Sequence, residues 1–195
     1  MIAILDYGAG NVRSISNMLQ FLDCDYKITC DVGEIKKARA LIFPGQGHFK
    51  QALDNLNNKK LIEPIKSFIR SGKPFLGICL GFQVLFEKSE EAPEIQGLSL
   101  LKGEVKKFNT KKIPQIGWNK LETTKNNSFL EDDYFYFVNS YYVKPDNKSI
   151  ISSYSDYYGK FCASIEIDNI CACQFHPEKS SNAGISFFRN WIEKI

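Results

Sequence analysis

Lys73-Pro74-Phe75-Leu76-Gly77-Ile78-Cys79-Leu80-Gly81-Phe82-Gln83 reads as a buried strand, one cysteine and the start of a helix. Phe75, Leu76 and Ile78 make the short apolar run typical of a strand inside a parallel sheet, and Leu80 to Phe86 continues as an apolar helix. Cys79 sits at the junction. A sharp strand-to-helix turn strains its central residue and brings the two elements close together, so glycines are required on either side, and Gly77 and Gly81 supply them. This is the pattern of a nucleophile elbow. It turns the thiol outward at a helix N-terminus, where the dipole favours thiolate, the nucleophilic form. A cysteine is more often a small buried hydrophobe, but that role does not call for the flanking glycines.

The surrounding chain repeats the strand-then-helix rhythm. Ile2 to Leu5 is a strand, Asp6-Tyr7-Gly8-Ala9-Gly10-Asn11 a tight turn, and Val12, Ile15, Met18, Leu19 and Leu22 follow helical spacing. Gly8 and Gly10 invite a dinucleotide reading, yet the third glycine of that fingerprint falls on Arg13, and a structural turn fits better. Tyr26 to Thr29 forms a second strand, and Asp31 and Glu34 have capping-box spacing for a short helix that ends before Ala40. Ala40-Leu41-Ile42-Phe43 is a third buried strand. It runs into Pro44-Gly45-Gln46-Gly47-His48, where glycines at a strand's carboxyl end leave backbone N–H groups free for an oxyanion. Leu61, Ile62, Ile65, Phe68 and Ile69 line one face of a helix that Gly72 stops.

Beyond Glu91 the pieces shorten and alternate. Strands are expected around Ser99 to Leu101, Glu104 to Phe108 and Tyr134 to Val138, and a hairpin joins Cys162–Ile167 to Ile170–Phe175 through Asp168-Asn169. A last helix from about Asn182 places Ile185, Phe188 and Ile192 on its buried side. The whole reads as one α/β domain over residues 1–195, with a largely parallel central sheet, helices on both faces and an antiparallel extension. Its site is expected at the carboxyl ends of the strands.

Charge and cysteine usage narrow the functional classes. Twenty-five Lys and Arg oppose 22 Asp and Glu without a basic block, which gives no footprint for nucleic acid. Asp6 interrupts the apolar N-terminus too early for a signal peptide, and no apolar run approaches a membrane span, so a cytoplasmic protein is expected. The six cysteines contain no Cys-x-x-Cys pair and are expected to be reduced. Cys171 and Cys173 face the same way on a strand near His176, but the spacing matches no common zinc pattern and ordinary burial is expected; neither metal nor cofactor is called for.

Only two histidines exist, so an imidazole that activates Cys79 is His48 or His176. His176 ends a strand and is followed by Pro177, which is expected to keep the backbone extended so that Glu178 projects to the same side. Cys79, His176 and Glu178 are therefore the candidate triad, with the carboxylate orienting the imidazole. His48 either contacts the ligand or anchors the glycine loop.

Taken together, Gly77-Ile78-Cys79-Leu80-Gly81-Phe82-Gln83, Pro44-Gly45-Gln46-Gly47 and Gln174-Phe175-His176-Pro177-Glu178 resemble the class I (triad) glutamine amidotransferases, across the whole chain. The turn Asp6–Asn11, Gly117-Trp118-Asn119, Phe137-Val138-Asn139-Ser140-Tyr141 and His176-Pro177-Glu178-Lys179-Ser180 further resemble the glutaminase-subunit family of imidazole glycerol phosphate synthase, which supplies ammonia to histidine biosynthesis. The resemblance implies a flavodoxin-like fold and hydrolysis of L-glutamine through a glutamyl thioester on Cys79. It implies an oxyanion hole from backbone N–H groups at Gly45, Gln46 and Leu80, and substrate contacts from Gly47, Gln83, Ser140 and Tyr141. It also implies a (β/α)₈ cyclase partner in a heterodimer, met at Asn11, Trp118, Tyr136 and Lys179.

Two positions depart from that family, which usually carries histidine where Gln115 and Asn139 stand here. The triad is untouched, so the change bears on the partner and on how it switches hydrolysis on. The alternatives are a related glutaminase feeding a sugar-amidating enzyme, a non-catalytic flavodoxin-like interaction module, and a cysteine peptidase, against which Gln83 and the glycine loop argue.

Overall fold

Alternating apolar strands sort their side chains to two faces, and this sorting builds the first half of the molecule. The computed structural model describes residues 1–195. In chain order the first half runs β1 (Ile2–Leu5), α1 (Val12–Phe21), β2 (Tyr26–Thr29), α2 (Val32–Lys37), β3 (Ala40–Phe43), α3 (Phe49–Asn58), α4 (Ile62–Arg70), β4 (Phe75–Ile78) and α5 (Leu80–Gln83). The second half runs β5 (Lys88–Ser89), β6 (Gly103–Lys107), β7 (Gln115–Lys120), β8 (Glu122–Thr123), β9 (Tyr134–Asn139), β10 (Tyr141–Pro145), β11 (Ile151–Asp156), β12 (Lys160–Ile167), β13 (Ile170–Cys173) and α6 (Ser181–Glu193).

The main sheet has the order β2-β1-β3-β4-β13-β12-β10-β6-β5, parallel from β2 to β13 and antiparallel from there to β6. This is the parallel sheet with an antiparallel extension expected above. Ala3, Leu5, Leu41, Phe43 and Phe75 bury one face against α2, α3 and α4. Ile2, Ile4, Ala40, Ile42, Leu76 and Ile78 bury the other against α1 and α6. Every one of these side chains is removed from water, and each fully buried Leu, Ile or Phe stabilises the fold by about 1.5–3 kcal/mol. β7 and β9 form a separate two-stranded sheet, in which Gln115 lies opposite Asn139 and Trp118 opposite Tyr136. No helix is long and apolar enough to cross a membrane.

The Asp168-Asn169 hairpin forms as expected, with Asp168 in the left-handed region at φ 51°. Four local expectations are corrected. The helix after Cys79 stops at Gln83 instead of Phe86, because the carbonyls of Val84, Leu85 and Phe86 accept from the N–H groups of Leu98, Leu100, Leu101 and Ser99. The same bonds deny Ser99–Leu101 a strand partner, and that segment is no strand. Pro177 begins a 3₁₀ turn over Pro177–Lys179 instead of an extended run, since its fixed φ and missing N–H suit the first turn of a helix. In α6 the fully buried positions are Gly184, Phe187, Phe188 and Trp191, whereas Ile185 and Ile192 are half-buried. Helix α3 lies outside the expected elements: it is polar along most of its length and buries only Phe49, Ala52, Leu53 and Leu56.

The α6 correction is testable. Trp191→Ala is expected to cost about 3–5 kcal/mol in urea denaturation, the usual range for a core aromatic, and Ile192→Ala markedly less. The opposite order would contradict the observed face of α6.

Candidate active site

Parallel strands ending at one level bring their following loops together, and here β1, β3, β4 and β13 deliver Tyr7, Gly45, Cys79 and His176 to the carboxyl edge of the sheet. Cys79 has φ 54° and ψ −107°, the strained backbone of an elbow, and caps the short helix α5. Its N–H donates to the Cys173 carbonyl at 2.7 Å, which pins the turn to β13. Cys79 is 6% exposed and lines a cleft of about 250 Å³. Close packing of the elbow is possible only because of glycine. A Cβ on Gly81 would lie 2.0 Å from the Phe43 carbonyl oxygen, and one on Gly45 would lie 2.8 Å from the Gly81 nitrogen.

His176 lies on the same cleft, 4% exposed. Its Nδ1 is 2.8 Å from Glu178 Oε1, so the 3₁₀ turn brings the carboxylate to the ring as the extended backbone was expected to do. The His176 backbone is held from behind as well. His176 N–H donates to the Tyr136 carbonyl, and the Ser180 hydroxyl donates to the His176 carbonyl while accepting from the Tyr136 N–H. Burial disfavours a charged ring, but the Cys79 sulfur and the Glu178 carboxylate outweigh it and push the His176 pKa up to about 10. The arrangement thus favours imidazolium beside sulfur at neutral pH, the state required of a cysteine nucleophile with a general acid at hand.

The other expected positions divide into three groups. Gln46, Gly47, Leu80, Gln83, Ser140, Tyr141 and Lys179 line the cleft with Cys79 and His176. The oxyanion donors do not converge as expected: Leu80 N–H donates to the Gly45 carbonyl at 3.3 Å, so one donor is occupied and Gly45 presents oxygen to the elbow where an N–H was anticipated. Gly47, at φ 104° and with no atom near its Cβ position, gives this loop freedom to turn. Asn11 caps α1 through Ser14, and Trp118 is 52% exposed with its ring edge-to-face on Tyr136 at 6.1 Å. His48 caps α3 by accepting from Lys50 N–H, which makes it an anchor of the glycine loop.

Several residues beyond those singled out from sequence also reach the site. Gln174, fully buried on the stretch between β13 and His176, donates to Cys79 Sγ at 3.5 Å. Glu91 lines the cleft, and its carboxylate accepts from Phe49 N–H at 2.7 Å. Tyr7 is fully buried with no partner for its hydroxyl, and burial together with the nearby Cys79 sulfur raises its phenol above the ordinary range. Gln174 stands inside a quoted motif, so its position was visible although its contact was not; Glu91 carries no local signal. Gln115 and Asn139 are both buried, and neither Gln115 Oε1 nor Asn139 Oδ1 has a protein donor. Burial pushes the Cys171 and Cys173 thiols well above their usual values, as suits inert core cysteines.

Residues 3–195 match the family model described as glutamine amidotransferase class-I. The chain is 45% identical to the imidazole glycerol phosphate synthase subunit HisH of Methanothermobacter thermautotrophicus, over 100% of this chain and 99% of that one. It is 46% identical to the same-named subunit of Caldanaerobacter subterraneus, over 100% and 98%. Among solved structures, one described as a glutamine amidotransferase superposes with a TM-score of 0.79 at 17% identity, covering 98% of this chain and 97% of the other. PurLQS from Thermotoga maritima gives 0.77 at 17% identity, covering 99% and 97%; at these identities the likeness is one of fold.

The electrostatics predict how His176 titrates. Its raised value means that the charged ring contributes stability in full below about pH 6.5, and that this contribution is lost as pH rises through about 10. With two histidines in the chain, ¹⁵N imidazole spectra separate them readily. His176 is expected to stay protonated well above neutrality, and Cys79→Ala to lower its midpoint, because the sulfur is the largest of the raising influences. An unchanged midpoint in that variant would remove the sulfur from the account.

Proposed function

The chain belongs to the class-I glutamine amidotransferase family, and from that premise we propose that residues 1–195 act as one glutaminase domain, the ammonia-supplying subunit of an imidazole glycerol phosphate synthase in histidine biosynthesis. The observation that carries the reading is the buried His176–Glu178 pair facing the strained Cys79 in one cleft. Full-length identities of 44–46% to subunits of that name support histidine biosynthesis over a sugar-amidating enzyme or a non-catalytic module.

Each residue has a role in the reaction. The Cys79 thiolate attacks the side-chain amide carbon of glutamine, an S–C bond forms, and the negative oxygen collapses to expel nitrogen, which takes the His176 proton and leaves as ammonia. Water then adds to the thioester carbon, His176 accepts its proton, and the C–S bond breaks to return thiolate and glutamate. Glu178 orients the ring and balances its charge. At the amino-acid end, both amide hydrogens of Gln83 are engaged, by Gln174 Oε1 at 2.9 Å and the Tyr141 carbonyl at 3.1 Å. Gln83 therefore offers its oxygen, an acceptor suited to the substrate ammonium, with Gly47, Ser140 and Tyr141 completing the pocket.

The Gly45 carbonyl on the Leu80 N–H is an off state. Turning the Gly45-Gln46 peptide frees Leu80 and presents the Gln46 N–H, completing the oxyanion hole. The partner, a (β/α)₈ cyclase docked in a cytoplasmic heterodimer at Asn11, Trp118, Tyr136 and Lys179, is the source of that turn. One missing oxyanion donor lowers turnover roughly a hundredfold to a thousandfold, enough to keep the isolated subunit nearly silent.

Two measurements test the reading. Cys79→Ala in the complex is expected to abolish glutamine-dependent synthesis while synthesis from added ammonium persists; near wild-type glutamine turnover would overturn the assignment. Glutamine hydrolysis by the subunit alone is expected to rise on addition of the cyclase and its ligand. Equal rates would reject the peptide switch and leave the triad standing.

A further inference from the structure

Gln174 is the one uncharged side chain that donates to the nucleophile, and the reaction above uses only its other end, which holds Gln83. Its position is rigidly determined. The backbone N–H donates to the Ala163 carbonyl at 2.8 Å, which ties the residue to β12, and the side chain is fully buried. The amide then works at both ends: Nε2 donates to Cys79 Sγ at 3.5 Å, and Oε1 accepts from Gln83 Nε2 at 2.9 Å. One buried amide thus touches the nucleophilic sulfur and the side chain that faces the substrate.

We propose that Gln174 is a further catalytic residue of this site, whose amide N–H holds the Cys79 sulfur in its anionic form and whose carbonyl locks Gln83 in the orientation that receives glutamine. The proposal rests on the glutaminase reading and deepens it. A bond from N–H to sulfur is strong when the sulfur carries charge and weak when it is acylated, because a thioester sulfur is a poor acceptor. Gln174 therefore favours two species over the thioester between them: the thiolate that attacks, and the thiolate that departs as water's oxygen bonds to the acyl carbon and the C–S bond breaks. A neutral donor assists its departure and leaves His176 the only cation of the triad.

The second end of the amide governs specificity. With Oε1 of Gln174 in place, Gln83 must direct its NH₂ inward and its oxygen to the cleft. Without that acceptor the Tyr141 carbonyl alone holds the Gln83 NH₂, and the side chain rotates more readily to present NH₂ to the substrate ammonium, a mismatch of donor against donor.

The test reads the two ends separately, using full-length protein. Iodoacetamide alkylation of Cys79 across pH needs neither glutamine nor a partner, so it remains informative even if glutamine hydrolysis itself were refuted. The titratable and charged groups around the sulfur are His176 with its partner Glu178, Tyr7, Cys173 and, along the cleft, Glu91 and Lys179, and all are retained in the variants. Gln174→Met keeps the volume and removes both contacts. Its alkylation profile is expected to move to higher pH, with a rate at neutral pH lower by roughly tenfold, the scale of a hydrogen bond to a charged group. In the complex it should also raise the KM for glutamine and accumulate the glutamyl thioester seen by mass spectrometry after acid quench. Gln83→Met should raise KM and leave the alkylation profile in place. Gln174→Asn, one methylene short, should follow the Met variant and serves in its stead if the latter does not fold. A folded Gln174 variant whose profile superposes on wild type overturns the proposal, as does a Gln83→Met profile displaced to the same extent.

Discussion

The site depends on how closely the elbow helix approaches the neighbouring strand. Gly81 sits so near the Phe43 carbonyl that no side chain fits between them, and Gly45 is wedged against the start of the same helix by the Gly81 nitrogen, Leu80 Cβ and the Tyr7 hydroxyl. That contact sets the distance between the nucleophile on β4 and the loop after β3. A methyl group at either glycine would push α5 outward and carry Cys79 with it. The strain at Cys79 persists because this packing on one side and the 2.7 Å bond to the Cys173 carbonyl on the other over-determine the turn.

Where the energy of the fold is local, the sequence was legible. Ile2–Leu5, Ala40–Phe43 and Phe75–Ile78 are apolar runs with no competing partner, so their place in a parallel sheet follows from period and composition. The triad could be read because Cys79 carries a glycine signature and only two histidines compete for the base. Features set by distant partners could not be read. Helix α5 ends early because residues 98–101 capture the carbonyls of Val84, Leu85 and Phe86 just beyond it, a contact that no window around Cys79 contains. The α6 face lies about one position from the expected one because Phe187, Phe188 and Trp191 join a core drawn from both halves of the chain, with Phe187 edge-to-face on Phe175. The occupied Leu80 N–H depends on the orientation of one glycine peptide, to which sequence is blind.

The His176–Glu178 pair is buried on both sides, with side chains 5% and 2% exposed, and an isolated charge there would be costly. The group that makes the pair tolerable is the sulfur. It lies on the open side of the ring and, with Glu178, raises the ring's pKa against the cost of burial, so the ring's charge depends on the nucleophile it serves. The neighbouring cysteines are inert for a separate reason: Cys171 and Cys173 are fully buried, and desolvation, only partly opposed at Cys171 by Lys194, pushes their thiols well above the usual value.

The small sheet of β7 and β9 connects this chemistry to the surface. Its outer side carries exposed Ile116, Trp118 and Tyr134, while the Tyr136 backbone holds the His176 N–H directly and the His176 carbonyl through Ser180. The next residues along β9 bring the Val138 carbonyl to 4.0 Å from the sulfur and Asn139 into the cleft. One strand is thus at once an outer surface and the back wall of the base. Its inner end carries the Gln115–Asn139 pair, two buried amides with an unpartnered oxygen each, so the region where strand and cleft meet is also where hydrogen bonding is least complete. Each of those oxygens carries the desolvation cost of a buried acceptor without a donor, so the join between the outer strand pair and the wall behind the imidazole is held by packing more than by hydrogen bonds.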